Sequence, residues 1–240
     1  MITYPGVGRG HSTSAVRNQG GIVFTVIDLT QPLSPATRSY PGDAAAYRAY
    51  TTRIEGSGGV VTHLVRFDLH SGTHMDAPRH FAPSGSDIAA VPLRVLPMHV
   101  VHVHERRIDT TAVPEICEGS AILFHTGWER HAGTSQYFSG FPFLTEAAAQ
   151  LLVDRNAALV GLDSPSADDR TDSAVYPAHD TLCGAGIPIV EGLVNLKAIP
   201  FADDAPVYFA AFPLPFEGLE ACPVRAVAIV GRPDWASIRE

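Results

Sequence analysis

Residues 145–162 read TEAAAQLLVDRNAALVGL, and this stretch limits the fold more sharply than any other. Thr145 can cap a helix over Thr145–Asn156, on which Ala148, Leu151 and Leu152 share one face. The chain then runs straight into an apolar strand, Ala158–Leu162. A helix feeding directly into a strand is a unit of α/β type. Around it lie other short runs rich in valine and aromatics: Gly21–Leu29, Gly59–Leu69, Met98–His104, Ala121–His125, Val207–Phe212 and Val224–Val230. Gly, Pro, Asp or Ser bounds each of them, as expected of strands. A second, short helix is expected to start near Ala178. There is no internal repeat, no low-complexity tract and no linker long enough to separate domains. The expected fold is a single α/β domain over residues 21–240, strand-rich and built on a mixed sheet, with a flexible arm over residues 1–20.

Composition excludes several function classes. The chain of 240 residues has a formal net charge of −8, which disfavours a nucleic-acid or anionic-membrane partner. No run approaches the roughly 18 apolar residues of a membrane span. Cys117, Cys183 and Cys222 are odd in number and contain no CxxC, so neither a disulfide framework nor a thiolate zinc site is expected. The N-terminal residues lack a basic-then-apolar layout, and a cytoplasmic location is the expectation. GVGRGH near the N-terminus mimics a phosphate loop, but no strand precedes it.

The chemistry concentrates in His70–Phe81, HSGTHMDAPRHF, which follows the strand expected over Gly59–Leu69. Gly72 permits unusual backbone geometry and Pro78 ends regular structure, so the segment reads as a tight, fixed excursion at a strand end. His70, His74 and Asp76 offer two imidazoles and a carboxylate, which suit zinc, manganese or iron(II). Spacing alone leaves a rival open: His74 and Asp76 with a distant His179 have the look of the two-histidine, one-carboxylate triad of iron oxygenases. No arginine follows His179 within about ten residues to anchor an oxo-acid cosubstrate, and that rival leaves His70 and His80 unexplained.

The segment matches the motif H-x-G-T-H-x-D-x-P-x-H-F at every fixed position, and in it the chain resembles the metal-dependent cyclase family. That family includes bacterial kynurenine formamidases and isatin-hydrolase-like enzymes. The likeness extends to VIDLTQPLSPATRSYPGD (26–43), ILFHTGW (122–128), GLDSPSAD (161–168), HDTLCGAGIPIVEGLVNL (179–196) and FPLPFEGLEACPVRAVAIV (212–230). It implies a compact β/β/α domain of the swivelling type, usually a homodimer or higher homo-oligomer. Residue by residue, it implies that His70, His74 and Asp76 bind one metal, that Asp76 bridges to a second held by His179 and Glu191, and that His80 is the catalytic acid–base. The ions implied are divalent, one or two of them, zinc first and manganese second. The activity implied is hydrolysis of a carbon–nitrogen bond in a small-molecule amide through metal-activated water, most like an arylformamidase of the N-formylkynurenine type. A cyclic amide such as isatin, or a lactone, is the alternative substrate.

The chemistry is coherent on its own terms. Three neutral imidazoles and two carboxylates leave a dizinc centre with surplus positive charge, which favours ionised water. An imidazole can take the water's proton and return it to the leaving amine. No GxSxG elbow is present for a serine-hydrolase route. Other features have plainer readings. His102 and His104 share one face of an exposed strand, and His63 reads as a packed or hydrogen-bonded strand residue. Asp163 and Asp168 are equally readable as functional groups or turn formers. Trp128 is a candidate substrate-binding residue or core filler, and Tyr40–Asp43 (YPGD) reads as a turn.

Overall fold

Along Ala121–His125 the side chains alternate between two apolar cores, Ala121 and Leu123 facing one and Ile122 and Phe124 the other. This period of two marks a strand buried on both faces, and it organises the molecule. The structure is a computed structural model and describes residues 13–18, 21–38, 47–53, 61–169, 175–200 and 206–231. In chain order the strands are β1 (Thr13–Asn18), β2 (Gly21–Asp28), β3 (Tyr47–Arg53), β4 (Val61–Phe67), β5 (His74–Asp76), β6 (Val95–His102), β7 (Arg107–Ile108), β8 (Ala121–His125), β9 (Phe143–Leu144), β10 (Leu159–Leu162), β11 (Ile189–Glu191), β12 (Val207–Phe212), β13 (Ala221–Pro223) and β14 (Arg225–Gly231). The α-helices are α1 (Glu146–Asp154) and α2 (Pro177–Gly184).

One mixed sheet runs in the order β1-β2-β14-β12-β6-β8-β10-β11-β5-β13. The four strands from β6 to β11 are parallel to one another, and the strands on either side of them pair antiparallel. Helices α1 and α2 cover the core that contains Ile122, Phe124, Val160 and Leu162. The Thr145 hydroxyl accepts a hydrogen bond from the Ala148 N–H and caps α1 as expected. The α/β expectation and the strand-rich mixed sheet agree with this architecture.

Three local features differ from expectation. Residues 13–18, placed in a flexible arm, form β1 and pair antiparallel with β2; residues 1–12, including GVGRGH, lie outside the described residues, as does Tyr40–Asp43. The Tyr47–Arg53 segment is a strand whose partner is β4, and the two make a separate hairpin. On that hairpin Val61–Arg66 are exposed, so His63 is a solvent-facing residue rather than a packed one. Leu64 is 66% exposed there, although a hairpin alone is marginal in water. The third is β5: His74–Asp76 is itself a strand, held between β11 and β13. Among the described residues no helix is long and apolar enough to cross a membrane.

Candidate metal centre

Strand β5 explains why HMD rather than any other triplet carries the site. Alternation puts His74 and Asp76 on one face and sends Met75 to the other, where it joins the apolar core. In register, His74 faces Glu191 of β11 across the ladder. The His74 Nε2 then lies 3.4 Å from Glu191 Oε2 and 3.6 Å from Asp76 Oδ1. His179 arrives from the first turn of α2, its Nε2 3.2 Å from Glu191 Oε1 and 3.5 Å from Asp76 Oδ2. His70, from the loop before β5, places Nδ1 3.0 Å from Asp76 Oδ1. The structure thus brings His70, His74, Asp76, His179 and Glu191 together, with Asp76 in the middle.

The turns that carry these groups are locked against each other. Gly192, just after Glu191, has φ +69°, and a Cβ there would stand 2.4 Å from the Gly72 carbonyl oxygen. Only glycine fits that approach. The Thr73 hydroxyl donates to the Gly192 carbonyl at 2.7 Å and ties the two segments together.

Two backing groups fix which imidazole nitrogen faces the cluster. His74 Nδ1 donates to the Gly72 carbonyl at 3.2 Å, since a carbonyl can only accept, and this turns Nε2 toward the cluster. His179 Nδ1 donates to Asp168 Oδ2 at 2.7 Å, which turns its Nε2 toward the cluster. Asp168 also accepts the backbone N–H groups of Ala178 and His179 at the start of α2. Glu220 stands 3.6 Å from His70 Nε2, on the side away from Asp76. Sequence reasoning left Asp168 undecided and passed over Glu220, because each meets its histidine only through the fold.

These orientations decide whether a metal fits. His74 Nε2 and both Asp76 carboxylate oxygens are buried without a hydrogen-bond partner. Buried polar atoms left without a partner cost about 1–3 kcal/mol each. A divalent cation meets that need, and His74, Asp76 and Glu191 each offer one ligand atom within 4.8 Å of the others. The titration behaviour points the same way. Burial pushes Asp76 upward, yet the charges of His70 and His74 hold it well below the usual carboxylate range. Burial likewise pulls the His70 imidazole down, but the charge of Asp76 overcomes it and lifts the group to about 10. The cluster gathers positive charge.

His80 occupies a different position. It ends the 3₁₀ turn Pro78–His80, half-buried on the wall of the cavity above the cluster, its ring centroid 4.5 Å from that of His70. Its side chain makes no hydrogen bond with the described residues. Burial lowers its pKa below 6.5, against the opposing charge of Asp76, so at neutral pH the ring is a neutral base.

The cavity measures about 1100 Å³ and opens over His70, His74 and His80. Its apolar wall includes Phe81, Phe138 and Tyr176. Trp128 does not line it, which corrects the expectation of a substrate contact. The Trp128 indole N–H donates to the Tyr137 carbonyl at 2.9 Å and its ring stacks on His131, so it braces the 128–138 loop from behind. Asp163 anchors the same loop by accepting from Thr126, Gly127 and Trp128 N–H groups, and burial raises its carboxyl to about 6. Tyr137 and Phe138 occupy the wall in place of Trp128.

The Asp168–His179 contact carries a prediction. Asp168→Asn removes the charge that orients the ring while keeping an oxygen for the helix N–H groups. Divalent-metal affinity, read by competition with a chelator, is expected to fall about 10–100-fold. Unchanged affinity would show that Asp168 serves only the helix.

Comparison with known proteins follows the same lines. A family model named Cyclase matches residues 27–169. A solved structure described as a potential metal-dependent hydrolase with cyclase activity is 28% identical over 88% of this chain and 100% of its own, with a TM-score of 0.72. Isatin hydrolase A from Labrenzia aggregata, bound to benzyl benzoate, is 23% identical over 86% of this chain and 93% of its own, with a TM-score of 0.74. An isatin hydrolase bound to the product analogue thioisatinate is 21% identical over 87% and 93%, with a TM-score of 0.76. At that identity the two isatin hydrolases speak for the shared fold.

Proposed function

The chain belongs to the Cyclase family, and from that premise we propose that it is a metal-dependent hydrolase of a carbon–nitrogen bond in an amide. The observation that carries this reading is the set of buried polar atoms of His74 and Asp76 left without a hydrogen-bond partner at the floor of an open cavity. His70, His74, Asp76, His179 and Glu191 would hold one or two divalent ions, and their nitrogen and oxygen donors suit zinc before manganese. Such an ion supplies a Lewis acid for a carbonyl oxygen and lowers the pKa of water to about 7. The protein's own part falls to His80, the neutral imidazole beside the cluster. Its ring nitrogen takes the proton of the attacking water and passes it to the nitrogen of the departing amine. The crowding of His70 and Glu191 around the same centre disfavours an oxygenase triad of His74, Asp76 and His179 alone.

The aromatic wall supports an aryl amide as substrate, an arylformamidase reaction of the N-formylkynurenine type being the first choice. Isatin is the second, because two proteins of this fold are named isatin hydrolases. The test is a screen of formanilides, isatin and small lactones with zinc- and manganese-loaded protein, following the amine and acid products. Turnover of an anilide or isatin is the expected result; turnover of lactones alone would overturn the carbon–nitrogen assignment.

The pH profile tests the role of His80. Because burial keeps its pKa below 6.5, the base is available at pH 7 and is lost as pH falls through that depressed value. The rate should therefore decline on the acid side, with its limb below pH 6.5. A flat rate between pH 5 and 8 would contradict the assignment.

A further inference from the structure

Gln31 lies in the loop after β2, half-buried on the cavity wall, and its amide is oriented without ambiguity. Its Nε2 donates to the Gly192 carbonyl at 2.8 Å and to the Tyr137 hydroxyl at 3.2 Å. The Tyr137 hydroxyl spends its own hydrogen on the Asp163 carbonyl at 3.2 Å, so toward Gln31 it can only accept. Both neighbours of the amide nitrogen are therefore acceptors, and exchanging nitrogen and oxygen would set lone pair against lone pair. Both amide hydrogens are in use. Among the described residues the Oε1 atom takes no hydrogen bond.

The same side chain is seated on the turns that carry the proposed ligands. The Gln31 backbone N–H donates to Thr73 Oγ1 at 2.9 Å, next to His74. Nε2 would be 3.1 Å from a Cβ on Gly192, the residue after Glu191. A neutral oxygen with two free lone pairs thus belongs to a side chain anchored on the wall of the cavity that holds the cluster.

We propose that Gln31 is a specificity-determining residue whose Oε1 accepts the N–H of the scissile amide. This rests on the amide-hydrolase reading and deepens it: the preferred substrates are secondary amides, open or cyclic, rather than esters. An ester oxygen in that position would meet Oε1 with a lone pair of its own.

The test compares formanilide with phenyl formate, which differ by N–H against O at the scissile bond, using zinc-loaded wild type and Gln31→Leu. The ratio of kcat/KM for the amide to that for the ester cancels their intrinsic reactivities when it is compared between proteins. In Gln31→Leu this ratio is expected to fall about ten-fold, the scale of one buried hydrogen bond, with zinc content unchanged. Equal losses on both substrates, or a loss of zinc, would overturn the proposal and make Gln31 a brace for the ligand turns. Gln31→Met, closer in shape, repeats the measurement should the leucine variant fail to fold. A wild-type protein that cleaves the ester and leaves the anilide intact overturns the amide-hydrolase reading itself, a result visible before any variant is assayed.

Discussion

Asp76→Asn is expected to remove divalent metal from an otherwise folded protein and to lower turnover by about 10³-fold or more, since the metal's charge stabilisation is worth several kcal/mol. Asp76 is the hub of the cluster: one oxygen faces His70 and His74 and the other faces His179. Its carboxylate is buried and is held ionised by the charges of His70 and His74, so in the metal-free protein that charge contributes stability which the amide gives up. The amide is nearly the same shape, keeps the strand pairing of β5 and carries no charge. Metal-free Asp76→Asn should therefore melt below the metal-free wild type, because the pairing with His70 is lost. Zinc should raise the melting temperature of the wild type alone, because a ligand stabilises only a protein that binds it. Stoichiometric zinc in the variant would show that Asp76 is not the central ligand.

His80→Ala should separate proton transfer from metal binding. Turnover is expected to fall by about 10²–10⁴-fold, the usual span for a lost general acid–base, while most of the metal stays bound. His74→Ala, by contrast, should lose metal and activity together. The comparison has force because His70, Asp76 and His80 also offer ligand atoms within 4.8 Å of one another. A metal analysis in which His80→Ala loses an ion as readily as His74→Ala would make His80 a ligand. Glu191 would then be the first candidate for moving protons.

What could be read from the sequence depended on how local the information was. HSGTHMDAPRHF holds three of its histidines and Asp76 within one short stretch, so composition and spacing alone marked it. The helix-to-strand unit was equally plain, because the α1 cap and the apolar β10 are neighbours in the chain. Strand β5 was hidden: three residues are too few to show alternation, and its partners lie more than a hundred residues away. His179 was visible only as the distant third member of a rival triad, and Glu191 came from the family resemblance alone, since nothing in its own surroundings names a metal. Asp168 was visible as a carboxylate but not as the partner of His179, and Glu220 was not visible at all. Trp128 misled because an indole next to a strand end can face a pocket or brace a loop, and periodicity does not distinguish them. β1 was missed because TSAVRN lacks the apolar run that marks the other strands.

The most direct measurement of the central claim is activity during metal exchange in the absence of oxygen. Protein stripped by chelator is assayed against formanilide and isatin while zinc or manganese is titrated back. The account predicts an inactive metal-free protein whose hydrolysis returns, without oxygen, in proportion to the ions bound. Hydrolysis that survives full removal of metal, or turnover that requires oxygen and iron, would contradict it.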